Sequence, residues 1–155
     1  MKAAAIAALG LAALTLSACE RGPGPMAANS KMCVDFKQTK PAAAAVGAEG
    51  AAAVDQCALR WAYSLASSHD DADAVAEAVT AACGAHLSRW NQATLSQPGG
   101  TEEAASLMTG QPTSPLAEHN AFTHQRALFY VVQARAGRCA PPPVVNGAPE
   151  GVSPA

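Results

Sequence analysis

Cys57 and Cys83 stand equally far from residue 70, and residue 70 falls in a turn. Ahead of it, Val54, Cys57, Ala58, Trp61 and Leu65 recur at i, i+3, i+4, i+7 and i+11, the spacing of one helical face. Beyond it, Val75, Val79, Ala82, Cys83, His86, Leu87 and Trp90 form a second apolar stripe. Between the stripes lies Ser67-Ser68-His69-Asp70, rich in capping groups. Asp71 and Asp73 follow, and their carboxylates suit the positive end of a new helix. Residues equally far from a hairpin turn lie side by side across an antiparallel helix pair. The pattern therefore predicts helices over about 51–67 and 71–95, stapled by a Cys57–Cys83 disulfide. At 1.5 Å per residue the bond lies about 20 Å from the turn, where it clamps the open end of the pair. Gly84 inside the second helix costs about 1 kcal/mol relative to alanine, and close packing of a neighbour is the expected reason for it.

Ser96, Gln97, Pro98, Gly99 and Gly100 end this pair. Thr101 can cap a short helix, with Glu102 and Glu103 in its first turn and Leu107 and Met108 facing in. Ser114 followed by Pro115 opens a third long helix that runs to about Ala136. Its apolar residues are Phe122, Leu128, Phe129, Val131 and Val132, and Gly137 is the expected C-terminal cap, with Arg135 and Arg138 complementing the negative helix end. Trp61 and Trp90 lie on the inward stripes. Tyr63 points away from Trp61, and either packs on the third helix or marks a contact surface. Residues 20–31 are rich in Gly and Pro and read as a flexible tether. Val34 and Phe36 form a short extended piece at best, and for Pro41–Val46 helix and loop are equal readings. Pro141, Pro142 and Pro143 forbid a helix, and residues 140–155 are expected to be a disordered tail. No segment reads as a β-hairpin. The fold class is all-α: a small helical domain over residues 32–139, with three main helices and one short one.

The N-terminus gives an address. Lys2 precedes an apolar run from Ala3 to Leu16, the plan of a secretory signal. Leu16-Ser17-Ala18-Cys19 closes the run, and over residues 1–19 the chain resembles the lipobox region of bacterial lipoproteins. The resemblance implies that residues 1–18 are removed, that Cys19 is acylated, and that the mature chain is held in the cell envelope by its lipid, facing the periplasm. Two or more acyl chains anchor stably. The run of about 14 apolar residues is too short to span a bilayer core of about 30 Å. Glu20, in place of an aspartate, favours the outer over the inner membrane. Without residues 1–18, only 20 Leu, Ile, Val and Phe side chains remain for the core. A core that thin needs cross-links. With Cys19 acylated, four cysteines remain in an oxidising compartment, so two disulfides are expected. Symmetry about residue 70 assigns Cys57–Cys83, which leaves Cys33–Cys139; the other two connectivities lose that symmetry. Chain entropy gives these loops about 3.5 and about 4.8 kcal/mol respectively.

The totals exclude some functions. The net charge is −2 and the chain has no basic cluster, which argues against nucleic-acid binding. Sequence separations of 24, 26 and 56 between Cys33, Cys57, Cys83 and Cys139 contain no short pair of zinc ligands. There is no H-E-x-x-H, G-x-S-x-G or S-x-x-K, and no glycine-rich phosphate loop after a strand. His119 and His124 are about 140° apart on a helix and do not share a face. His86 reads as a packed, hydrogen-bonded histidine. No catalytic, cofactor-binding or metal-binding residue is assigned. The sequence therefore favours a non-enzymatic envelope module whose partners are the membrane, through the lipid, and another envelope protein. The alternative is an inhibitor or immunity-type protein against an envelope-directed enzyme or toxin. A hydrolase or metal binder using Glu118, His119 and His124 is the third reading.

Overall fold

The computed structural model describes residues 30–36, 49–100, 103–106 and 109–152. The signal, Cys19, residues 20–29 of the expected tether and the Pro41–Val46 segment lie outside the described residues. The architecture is all-α. Helix α1 is Gly50–Leu65, α2 is Ala72–Ala82, α3 is Gly84–Leu95 and α4 is Pro115–Gly137. Helix α4 packs across α1 and α2 together, and α1 also packs on α3. Both disulfides form as expected, Cys57–Cys83 between α1 and the end of α2 and Cys33–Cys139 between the N-terminal arm and the residue two past α4.

Small side chains let these helices approach closely. Ala58, Ala62, Ala76, Ala127 and Ala134 are buried with Val54, Val75, Val79 and Val131. Each alanine buries little apolar area, so the layer gains less from burial than one built of leucines. The α1–α2 turn is fixed from a distance. Arg135 of α4 donates from Nε to Ala66 O at 3.0 Å, and from Nη2 to Ser68 O at 2.9 Å and Asp70 O at 2.8 Å. The arginine expected to complement its own helix end instead satisfies the carbonyls that end α1.

Where the sequence predicts one helix over 71–95, there are two. Cys83 leaves helical geometry, with φ −93° and ψ 7°, and α3 starts at the next residue. A Cβ added at Gly84 would meet nothing within 4 Å, so close packing is not its role.

Helix α4 starts as its sequence implies: Ser114 Oγ accepts the Ala117 N–H at 3.3 Å, and Pro115 occupies the first turn. Its C-terminus differs from expectation. The left-handed residue is Arg138, with φ 50° and ψ 46°, and not Gly137. The Arg138 N–H bonds Arg135 O and the Cys139 N–H bonds Ala134 O, the paired bonds of a Schellman motif. Glycine sits one position earlier because the clasp leaves no room there. A Cβ on Gly137 would lie 2.7 Å from Cys139 Sγ and 2.9 Å from Cys33 Sγ.

Three further expectations are corrected: a short helix after Thr101, a disordered tail, and the absence of any β-hairpin. The short helix after Thr101 is absent where the chain is described: β1 (Ala104–Ala105) pairs antiparallel with β2 (Pro112–Thr113), turned by Gly110 at φ +68°. Thr101, Glu102, Leu107 and Met108 lie outside the described residues. The tail is ordered over residues 140–152: β3 (Val144–Val145) pairs antiparallel with β4 (Ala148–Pro149), and Arg60 Nη1 donates to Glu150 O at 2.7 Å. The arm begins with a 3-10 turn at Ser30–Met32, held when Gln133 Nε2 donates to Met32 O at 2.7 Å.

Candidate functional site

A polar cluster crosses the α1–α4 seam. Asp55 of α1 accepts the Tyr130 hydroxyl at 3.0 Å on both oxygens, and it accepts Arg126 Nε in an ion pair. Arg126 also donates from Nη2 to the Tyr130 hydroxyl oxygen. Its guanidinium lies over the rings of Phe129 and Tyr130. Burial, with the Asp55 charge beside it, pushes the Tyr130 hydroxyl up to about 12. Hydrogen bonding to Asp55 raises the Arg126 pKa above its ordinary value. Both shifts hold Tyr130 protonated and Arg126 charged near neutral pH, and the cluster joins the two helices. A shallow depression of about 290 Å³ opens beside it, lined by Ala51, Ala52, Asp55, Phe122 and Arg126.

A second cluster joins α3 to α4. The His119 ring stacks on Trp90 at a centroid distance of 3.5 Å, and Phe122 meets Trp90 edge-on at 5.6 Å. His119 Nδ1 lies 2.7 Å from Asn91 Oδ1. His119 is buried, and burial lowers its pKa. His124 lies elsewhere, 3.4 Å from Asp73 of α2 in an exposed pair. Glu118, His119 and His124, the trio of the metal-binding or hydrolytic reading, are not brought to one place. Among the described residues no group of three or more His, Cys, Asp or Glu side chains is placed to hold a metal ion. His86, expected to be packed and hydrogen-bonded, is half-buried with Nδ1 3.0 Å from Arg89.

Tyr63 is not a contact surface: it belongs to the buried core that includes Ala127, Val131 and Ala134 of α4. It is buried beneath the N-terminal arm, where Phe36 meets its ring edge-on at 5.2 Å and Val34 N–H donates to its hydroxyl at 3.3 Å. That burial raises its pKa. Arg60 is 4% exposed, and burial lowers its pKa. Its guanidinium lies 5.3 Å from the Phe36 ring centroid, so Arg60 joins arm and tail. Trp61 is only half-buried at the edge of the core.

The outward face of α4 carries exposed apolar side chains. Phe129 is 53% exposed and Val132 51% exposed. Gln125 and Ala136 continue the same exposed stripe without a charge. The buried face is formed by His119, Thr123, Ala127, Tyr130, Val131 and Ala134. Sequence reading missed both this division of the helix and the Asp55–Arg126–Tyr130 cluster. Arg126 and Tyr130 are four apart on one helical face, which is a visible signal, but nothing local names Asp55 as their partner.

No family model matches the chain, and no curated protein or solved structure matches it.

Proposed function

We propose that the chain is a lipid-anchored protein of the bacterial envelope, acylated at Cys19, whose helical domain is a non-enzymatic binding module. The anchoring half rests on Leu16-Ser17-Ala18-Cys19 at the end of an apolar run. The binding half rests on one observation: an uncharged stripe on α4, Gln125, Phe129, Val132 and Ala136, faces solvent with its two large apolar side chains half exposed. Isolated exposed apolar residues are ordinary, but an aligned pair on one helix face is the kind of feature a partner covers. The polar groups of the domain act as joints between helices, which suits a rigid scaffold for such a face.

Two measurements test this reading separately. Cys19→Ser should move the full chain from the membrane to the soluble fraction; retention in the membrane would end the anchoring claim. A photo-crosslinking residue at Phe129 should capture a discrete envelope protein in living cells, while the same residue at exposed Glu77 should not. Equal capture at both positions, or none at Phe129, would end the binding claim. An enzyme or toxin as the captured partner would turn the reading into that of an inhibitor or immunity protein.

A further inference from the structure

The two disulfides differ in their surroundings. Cys57 and Cys83 are 2% and 0% exposed, sealed inside the helical layer. Cys33 and Cys139 are half-buried, and each lines an opening of its own. Cys33 borders a groove of about 530 Å³ walled by Val34, Phe36 and Pro141–Pro143. Cys139 borders a second cavity of about 340 Å³, shared with Tyr63, Arg135 and Arg138. Displacement at sulfur proceeds by thiolate attack on one sulfur as the other departs, so the reaction needs access to the first and a place for the second. This arrangement supplies both, one opening bordered by each cysteine.

We propose that Cys33–Cys139 is a thiol–disulfide exchange site, which reacts on the folded protein with a dithiol of the C-x-x-C type. A thiolate of the dithiol enters the groove, whose wall includes Asp35 beside the apolar residues, and attacks Cys33 Sγ. The Cys33–Cys139 bond breaks, a mixed disulfide forms at Cys33, and Cys139 leaves as a thiolate that takes up a proton. The negative end of α4 works against a thiolate at that position, and the guanidiniums of Arg135 and Arg138 in the same cavity offset it. The second thiolate of the dithiol then attacks its own sulfur in the mixed disulfide and releases Cys33, which is protonated in turn. The dithiol ends as a disulfide, and two electrons and two protons pass to the two cysteines. Reduction removes the covalent link between the arm and the end of α4. The arm then keeps its packing on Tyr63, the Arg60 guanidinium over Phe36 and its bond from Gln133. The Cys57–Cys83 pair, buried in the helical layer, stays oxidised while the helices stay folded.

The test uses the full chain under native conditions. Dithiothreitol is added, samples are quenched with iodoacetamide, and the remaining cysteines are labelled with a second reagent after unfolding and full reduction. Cys33 and Cys139 should take the first label at least about tenfold faster than Cys57 and Cys83, because the buried pair must wait for helices to open. The helical circular dichroism should persist meanwhile. A C-x-x-C reductant whose second cysteine is replaced by serine should be trapped on Cys33. Arg138→Gln should slow exchange about twofold by weakening the leaving thiolate, and Arg138→Lys should restore the rate. Equal labelling of all four cysteines, or earlier labelling of Cys57 and Cys83, would overturn the exchange site. Trapping on Cys139 would overturn the direction of attack.

Discussion

Chain entropy and packing rank the two disulfide regions in opposite orders. The clasp Cys33–Cys139 closes a sequence separation of 106 residues and the staple Cys57–Cys83 one of 26, so the clasp should contribute more if only the unfolded chain mattered. The folded surroundings reverse this. The staple lies within a sealed layer of alanines and valines, where losing a sulfur leaves a void that no neighbour can fill. The clasp joins two terminal segments, an arm and a proline-rich tail, that regain freedom in the folded state once it is cut. A cross-link that restricts both states gains less than the unfolded-state term alone implies.

This comparison sets the largest expected effects. Replacing Cys57 and Cys83 together by alanine should cost about 4–5 kcal/mol, and replacing Cys33 and Cys139 only about 2–3 kcal/mol. Urea unfolding of the two double variants at one pH decides it. A clasp variant that loses as much stability as the staple variant would show that loop length outweighs packing.

Two glycines then sharpen the contrast, with opposite signs. Gly137→Ala places a methyl group against both clasp sulfurs and should destabilise by about 2 kcal/mol. The cost should fall to less than half in the Cys33→Ala, Cys139→Ala background, because the clashing atoms are then gone. Gly84→Ala, beside the staple, enters open space and should stabilise by about 0.5–1 kcal/mol. Thermal melts of the single variants and of the combined one measure these changes. A Gly137→Ala cost that survives removal of the clasp would mean that the glycine serves the backbone.

The smallest effect is a pH dependence confined to the helical layer. Burial holds His119 below its ordinary pKa of 6.5, so the unfolded chain takes up this proton before the folded one. The contribution is fully present above pH 6.5 and is lost as pH falls through the lower folded value. Melting temperature should therefore drop on acidification below pH 6.5, and less so in His119→Gln. Hydrogen exchange in α3 and α4 should rise with it, and exchange in the arm around Val34 should not.

Much of the helical layer was legible in the sequence, because its signals are local. The stripes, the Ser114-Pro115 cap and the symmetry of Cys57 and Cys83 about residue 70 all follow from short-range patterns. The failures share one cause. Which face of α4 turns inward depends on partners far away in sequence, such as Asp55 for Tyr130 and Asn91 for His119. Hydropathy alone therefore gave the apolar residues of α4 without saying that Phe129 and Val132 turn outward. The tail read as disordered because Pro141–Pro143 hid a two-residue hairpin, and because Arg60, which holds it, lies 90 residues away. Gly137 was taken for the helix cap since glycine prefers left-handed backbone, yet the sulfurs of the clasp claim that position and Arg138 takes the left-handed one.

One measurement bears on the division of labour among the five cysteines more directly than any of these. Protein extracted from the membranes of cells expressing the full chain can be weighed intact and then digested without reduction. The mass should be that of a chain beginning at an acylated Cys19 and four hydrogens lighter than its fully reduced form, and the digest should contain Cys57 joined to Cys83 and Cys33 joined to Cys139. A chain that keeps residues 1–18, or a Cys19 found as a free thiol or in a disulfide, would contradict it.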